Sequence, residues 1–178
     1  MPAPILIVSG PPGAGKTTVA RRLVETAGPP AAHLHTDDFY NAIRPGYVAP
    51  WLAESHGQNT VVTRAIVAAA AEYAAGGYFV VVDGVVGPWF LDVYREAAGR
   101  LGVALDYVVL RPDRETAVAR ARDRDRDEAP LAPYPPGLYE NFADLGALEA
   151  HVVDSGAIDA DALAAQLRGG LAAGRFRL

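Results

Sequence analysis

An α/β three-layer sandwich built on five parallel strands is predicted by three observations. Short apolar runs alternate with helical patterns along the whole chain, the two kinds of segment are never grouped by type, and the first run leads into a glycine-rich loop that opens a helix. The loop carries the chemistry. Gly10-Pro11-Pro12-Gly13-Ala14-Gly15-Lys16-Thr17 fits the phosphate-binding pattern G-x-x-x-x-G-K-[ST], set between an apolar run from Pro4 to Val8 and a helical pattern from Thr17 to Thr26. That helix places Val19, Ala20, Leu23, Val24 and Ala27 on one face.

Each residue type in the loop has a physical task. Gly10, Gly13 and Gly15 let the backbone curl so that its N–H groups, with those of Ala14 and Thr18, point at phosphate oxygens, and the helix start adds positive potential. Lys16 reaches the β and γ phosphates, and the Thr17 hydroxyl binds Mg²⁺. The chain has fifteen arginines and a single lysine, which is Lys16, so the compact ammonium is kept where a planar guanidinium would not fit between two phosphates. Lys16 is expected to lie exposed until nucleotide arrives.

The 178 residues suit one domain, 1–178. Hydrophobic residues at 51% with 21% charged residues are ordinary for a globular fold. A net charge of -5 with scattered basic residues excludes nucleic acid as the expected partner. The absence of cysteine excludes disulfides, thiolate nucleophiles and cysteine metal sites. No basic leader or long apolar region precedes the first strand and no run is long enough to span a membrane, so the expected location is cytoplasmic, with no membrane partner.

After Gly28-Pro29-Pro30 breaks the first helix, Ala31 to His35 reads as the second strand, ending at Thr36-Asp37-Asp38. In open α/β sheets the ligand crevice lies beyond the carboxyl ends of the strands, which places Asp37 and Asp38 at the γ-phosphate region; Asp38 alternatively only caps a short helix from Phe39 to Ile43. Arg44 to Trp51 is a proline-rich loop. Together with Phe39 and Tyr40 it is aromatic enough either to line a ligand, through Tyr40, Arg44 and Trp51, or to pack on its own side chains. His56 to Ala75 reads as a long helix, with Val61, Ala65, Ala68, Ala69 and Glu72 marking its faces and Gln58 and Asn59 either solvated or hydrogen-bonding a substrate.

Tyr78 to Gly84 is a buried strand closed by Asp83, which would hold Mg²⁺ directly or through water, or bind a substrate hydroxyl. A helix from Pro88 to Gly99 brings Trp89 and Phe90 beside the crevice. Val103 to Leu110 is the fourth strand, and Pro112 opens the next helix. There, spacings of four pair Arg120 with Arg124 and Arg122 with Arg126. This is either a solvated face laced with Arg-Asp pairs or a lid that closes Arg120 and Arg124 onto the triphosphate, returning through the proline-rich stretch Ala129 to Gly137. Tyr139 to Leu148 reads as a short amphipathic helix and His151 to Asp154 as the fifth strand, with His151 packed in the core. A closing helix runs from about Asp159 to Leu167, and Gly169-Gly170 weakens the helical pattern toward the C-terminus.

With these pieces located, the chain resembles, nearly end to end, the P-loop small-molecule kinases of the chloramphenicol phosphotransferase, shikimate kinase and gluconate kinase group. The most specific pieces are Gly10 to Thr17, the segment His35-Thr36-Asp37-Asp38-Phe39, and Arg111 with Arg120 and Arg124. The resemblance implies a P-loop NTPase fold with an arginine-bearing helical lid at about 112–137, ATP and Mg²⁺ as cofactors, and Asp37 as the catalytic base. The expected activity is transfer of the γ-phosphoryl group of ATP to a hydroxyl of a small neutral molecule, with Asp38, Tyr40, Arg44, Trp51, Asp83 and Trp89 as acceptor contacts. A nucleoside or nucleotide kinase and a regulatory NTPase are the alternatives. A guanine-reading Asn-Lys-x-Asp motif is excluded, because the single lysine belongs to the loop.

Overall fold

The computed structural model describes residues 1–28, 30–127 and 136–178, with the backbone alone at 124–127 and 136. Its strands are β1 (Ile5–Ser9), β2 (Ala31–His35), β3 (Phe79–Asp83), β4 (Leu105–Leu110) and β5 (Val152–Val153), all parallel and in the order β2-β3-β1-β4-β5. They alternate with α1 (Lys16–Glu25), α2 (Thr36–Asn41), α3 (His56–Ala75), α4 (Leu91–Leu101), α5 (Arg114–Asp127) and α6 (Ala160–Ala172).

The strands read as unbroken apolar runs because both faces of the sheet are covered. Side chains alternate across a strand, so Ile5, Ile7, Val80, Val82, Tyr107 and Val109 join one core with α3 and α4, while Leu6, Val8, Val81, Val108 and Leu110 join a second core with α1 and α6. The predicted five-stranded α/β/α architecture is therefore the one observed. Among the described residues no helix is long and apolar enough to cross a membrane.

The differences from the sequence expectation have local causes. Helix α2 begins at Thr36, with His35 at its N-cap, so Asp38 does not cap a helix starting at Phe39; Asp37 and Asp38 both lie in the first turn, where carboxylates suit the helix dipole. This early start depends on Gly84. A Cβ there would lie 1.8 Å from Thr36 Oγ1, so only glycine lets Thr36 settle against the end of β3. Helix α3 has the expected bounds, but it buries Val62, Thr63, Ile66, Val67, Ala70 and Ala74, leaving Val61, Ala65, Ala68 and Glu72 outside its buried face. With so many alanines its pattern has too little contrast to fix the rotation.

Pro88–Phe90 forms a 3₁₀ turn, and α4 starts only at Leu91. The stretch expected as a helix from Tyr139 to Leu148 is instead two 3₁₀ segments, Pro136–Phe142 and Gly146–His151. Arg111 donates to the Phe142 and Ala143 carbonyls and pairs bidentately with Glu149, taking up acceptors that a continuous α-helix would use itself. Arg111 thus clamps the segment after Phe142 to the end of β4. His151 is buried, with Nδ1 2.9 Å from the Tyr107 carbonyl, as a core histidine. Helix α6 continues through Gly169-Gly170, and the C-terminal residues then pair with the first half of β4, where the two-residue β5 does not reach.

Gly84→Ala should lower stability by about 1–3 kcal/mol through overpacking against Thr36. An unchanged urea midpoint would refute the close approach that sets the start of α2.

Candidate active site

β1 and β3 lie side by side, and their chains leave toward opposite faces, one to α1 and the other to α4. The crevice outside their carboxyl ends is the place where a doubly wound sheet takes its ligand. The phosphate loop fills one wall. Gly13 has φ +78, and a Cβ on it would sit 2.0 Å from the Ala117 carbonyl of α5, so glycine is required there both for conformation and for packing. Ser155, after β5, supports the loop by donating from Oγ to the Ala14 carbonyl at 2.9 Å.

Lys16 does not lie exposed. It is only 9% accessible, and its Nζ donates to the Pro11 carbonyl of its own loop at 2.9 Å. A buried ammonium needs such an acceptor, and the curled loop provides one. Thr17 is half-buried, with its hydroxyl donating to Asp83 Oδ2 at 2.7 Å. Gly15 and Thr18 are exposed at the start of α1.

Asp83 is fully buried. Its Oδ1 is 2.6 Å from His33 Nε2 and 3.0 Å from His35 Nδ1, on the edge strand β2, where His35 is the direct register partner of Asp83. Burial by itself would push the Asp83 carboxyl up. The hydrogen bonds from His33 and His35, the charge of His35 and the Thr17 hydroxyl overcome it and hold the group well below the usual carboxylate range. His35 is in turn pushed up by its hydrogen bond to Asp83, against the effect of burial and with help from the charges of Asp83, Asp37 and Asp38.

Asp37, in the first turn of α2, has Oδ2 3.5 Å from His35 Nε2. Lys16, Thr17, His35 and Asp37 line one small cavity with Pro12, Gly84 and Val85. Val85 also lines a second cavity, formed by Thr36, Tyr40, Thr63, Ile66, Val86, Phe90 and Tyr94. The loop between the two is pinned: Ser9 Oγ and Tyr107 Oη donate to the Val86 carbonyl at 2.7 and 2.8 Å, and the Val86 N–H donates back to Ser9. Burial, then the charge of Asp37, then Tyr47, push the Tyr40 phenol up to about 12, and burial followed by Asp37 raises Tyr47 as well.

Of the residues expected at the site, Lys16, Thr17, Asp37 and Asp83 come together, with Tyr40 and Phe90 in the second cavity. Arg44 and Arg64 are exposed, and Arg44, Trp51, Asp38 and Trp89 line neither cavity. Trp89 is 57% exposed, with its ring over Gly87. Gln58 and Asn59 fasten the aromatic loop: Gln58 bonds both the N–H and the carbonyl of Val48, and Asn59 donates to the Pro50 carbonyl. Arg120 donates to the Ser155 and Gly156 carbonyls at 3.0 and 2.8 Å. The side chain of Arg124 and the lid return at 128–135 lie outside the described residues.

The sequence pattern alone does not single out His33, His35 and Thr63. A signal for the histidines is present in their i, i+2 spacing, which puts both on one face of a strand that ends in an acidic pair.

A family model described as an AAA domain matches residues 5–133. The chain belongs to the AAA domain family. No curated protein matches it in sequence. Among solved structures, this AAA domain is similar to an unliganded sugar kinase from Janibacter sp. HTCC2649, at 20% identity and TM-score 0.68, covering 96% of this chain and 95% of that one. It is similar to a tunicamycin resistance protein from Deinococcus radiodurans, at 15% identity and TM-score 0.68, over 95% and 96% of the two chains. It is also similar to the APS kinase of Mycobacterium tuberculosis in complex with AMPPNP and APS, at 16% identity and TM-score 0.68, over 96% and 98%. The fold of the AAA domain here is thus that of P-loop kinases.

Because the His35 pKa is raised above its ordinary 6.5, its pairing stabilises the fold fully below about pH 6.5 and loses that contribution as pH rises through the folded value. The difference in melting temperature between wild type and His35→Asn should therefore shrink as pH rises above about 6.5. A difference that stays constant or grows would show that the imidazole is not held charged.

Proposed function

We propose that the protein is an ATP-dependent phosphotransferase that moves the γ-phosphoryl group to a hydroxyl of a small molecule. The observation that carries this reading is one cavity lined by Lys16, Thr17 and Asp37, which unites a phosphate-binding ammonium, a metal-binding hydroxyl and a carboxylate base. Lys16 exchanges the Pro11 carbonyl for β- and γ-phosphate oxygens. Asp37 accepts the proton of the acceptor hydroxyl as its oxygen bonds to the γ phosphorus and the bond to the β,γ-bridging oxygen breaks, releasing ADP.

The donors present fit Mg²⁺, which takes one or two protein oxygens beside phosphate and water. Thr17 and Asp83 would hold it. Asp83 Oδ1 is already committed to two histidines, so Oδ2, beside the Thr17 hydroxyl, is the oxygen that would serve the ion. When bound, Mg²⁺ neutralises charge on the β and γ phosphates. Arg120, and Arg124 on the same helix, add charge at the transition state once α5 closes and Arg120 gives up the Ser155 and Gly156 carbonyls.

The acceptor occupies the second cavity. Among the described residues no side chain lining it is an acid or a strong base, and Arg44 and Arg64 are exposed. Thr36 and Thr63 are buried there and bring neutral hydroxyls to its wall. Apolar and aromatic walls with neutral hydroxyls suit an uncharged, ring-bearing alcohol, whereas an anion would call for paired basic groups.

Lys16→Ala, and Lys16→Arg nearly as much, should abolish transfer; wild-type rates in Lys16→Ala would end the phosphate-loop assignment. Asp37→Asn should lower kcat by about 10² to 10⁴ with nucleotide affinity little changed. The acceptor class is tested by a phosphorylation screen over neutral aglycones, nucleosides, sugar acids and sugar phosphates, with Arg44→Ala and Arg64→Ala in parallel. Turnover confined to anions, and lost in either arginine variant, would overturn the neutral acceptor.

A further inference from the structure

Asp37 lies in the first turn of a six-residue helix that has no side-chain cap, and its side chain is 40% exposed. Asp83, by contrast, is fully buried and receives three donors. One side chain spans the two. His35 presents Nδ1 to Asp83 Oδ1 at 3.0 Å and Nε2 to Asp37 Oδ2 at 3.5 Å, so the two nitrogens of a single rigid ring face two carboxylates. Its own position is fixed by parallel register, which sets His35 directly beside Asp83.

His33 provides the contrast. It lies on the same strand face and touches the same Asp83 oxygen, at 2.6 Å, but reaches no second carboxylate among the described residues. Its task ends at Asp83, whereas that of His35 continues to the base. A planar ring with two opposed donors is suited to such a strut, since it has only two side-chain torsions and both are fixed once Nδ1 is bonded.

We propose that His35 is the positioning residue for the catalytic base: it transmits the rigid placement of Asp83 to the Asp37 carboxylate and so holds Asp37 toward the reacting hydroxyl. The inference rests on the assignment of Asp37 as base. His35 shares the cavity of Lys16 and Thr17, and the role assigned to it here is exerted through Asp37. Misplacing a catalytic group by about 1 Å can cost on the order of 10² in rate, so the effect belongs in kcat and not in nucleotide affinity.

The test uses the intact protein with MgATP and water as the acceptor, and measures nucleotide binding separately with a non-hydrolysable ATP analogue. His35→Asn keeps an amide donor near the Nδ1 position for Asp83 but cannot reach Asp37. It should lower kcat about 10- to 100-fold and leave analogue affinity within about twofold. The matched His33→Asn should cost at least several-fold less. In an Asp37→Asn background, His35→Asn should change the rate by less than about twofold, because the group it positions is already gone. Equal losses in His33→Asn and His35→Asn, a loss confined to analogue binding, or full additivity with Asp37→Asn would each overturn the proposal while leaving Asp37 as base. An Asp37→Asn protein with wild-type turnover would overturn the base and the strut together.

Discussion

The buried carboxylate of Asp83 is the constraint on which the rest of the site depends. A charge taken out of water is costly, and it is tolerated only when its lone pairs are met by well-placed donors. Here the donors come from two elements: His33 and His35 from the edge strand β2, and Thr17 from α1. Meeting that demand fixes the register of β2 against β3 and the rotation of α1 about its axis. It also fixes where α2 begins, because His35 is both a donor to Asp83 and the N-cap of that helix. One electrostatic requirement therefore places the Gly10 to Thr17 loop, the Thr17 hydroxyl and Asp37 in a common frame.

The phosphate loop is braced from outside as well. Gly13 packs on the α5 backbone at Ala117, and Ser155 holds the Ala14 carbonyl. Arg120, on the same helix, ties α5 to the Ser155–Gly156 segment. Loop, helix and the turn after β5 thus form a closed set of contacts, and any motion of α5 is coupled to the Gly10 to Thr17 loop. This arrangement suits a helix that changes partners during a reaction more than one that only covers the site.

Legibility in the sequence tracks how local each signal is. The Gly10 to Thr17 loop, the buried strands and the bounds of α3 are readable because special backbone geometry, double burial and terminal glycines leave local marks. The rotation of α3 is not, because its alanines give one face no more hydrophobicity than another, and Thr63 therefore emerges as a cavity residue only in the fold. The break after Phe142 is not readable either, since it depends on Arg111, 31 residues away. Gln58 and Asn59 resemble substrate contacts in type and turn out to be loop fasteners, a distinction that only tertiary partners can make. The exposure expected of Lys16 fails for the same reason: the acceptor that buries it is made by the curl of its own loop.

Those loop fasteners bear on how the acceptor is selected. Gln58 grips Val48 at two points, Asn59 and Ser55 hold the Pro50 carbonyl, and Ser55 also bonds the Leu52 carbonyl. The segment bearing Tyr47 is therefore anchored to the start of α3, the helix whose later turns supply Thr63 and Ile66 to the second cavity. On the opposite side, Ser9 and Tyr107 pin Val86. In the proposed reading the walls of the acceptor cavity are consequently set before any ligand enters, and discrimination there comes from a preformed shape with few adaptable charges. Adjustment is left to the α5 side, where Arg120 has carbonyl partners it can exchange. In the proposed reaction the two sides divide the work: a rigid wall chooses the molecule and aligns one hydroxyl with Asp37, and the closing helix then excludes water from a γ-phosphoryl group that would otherwise be hydrolysed.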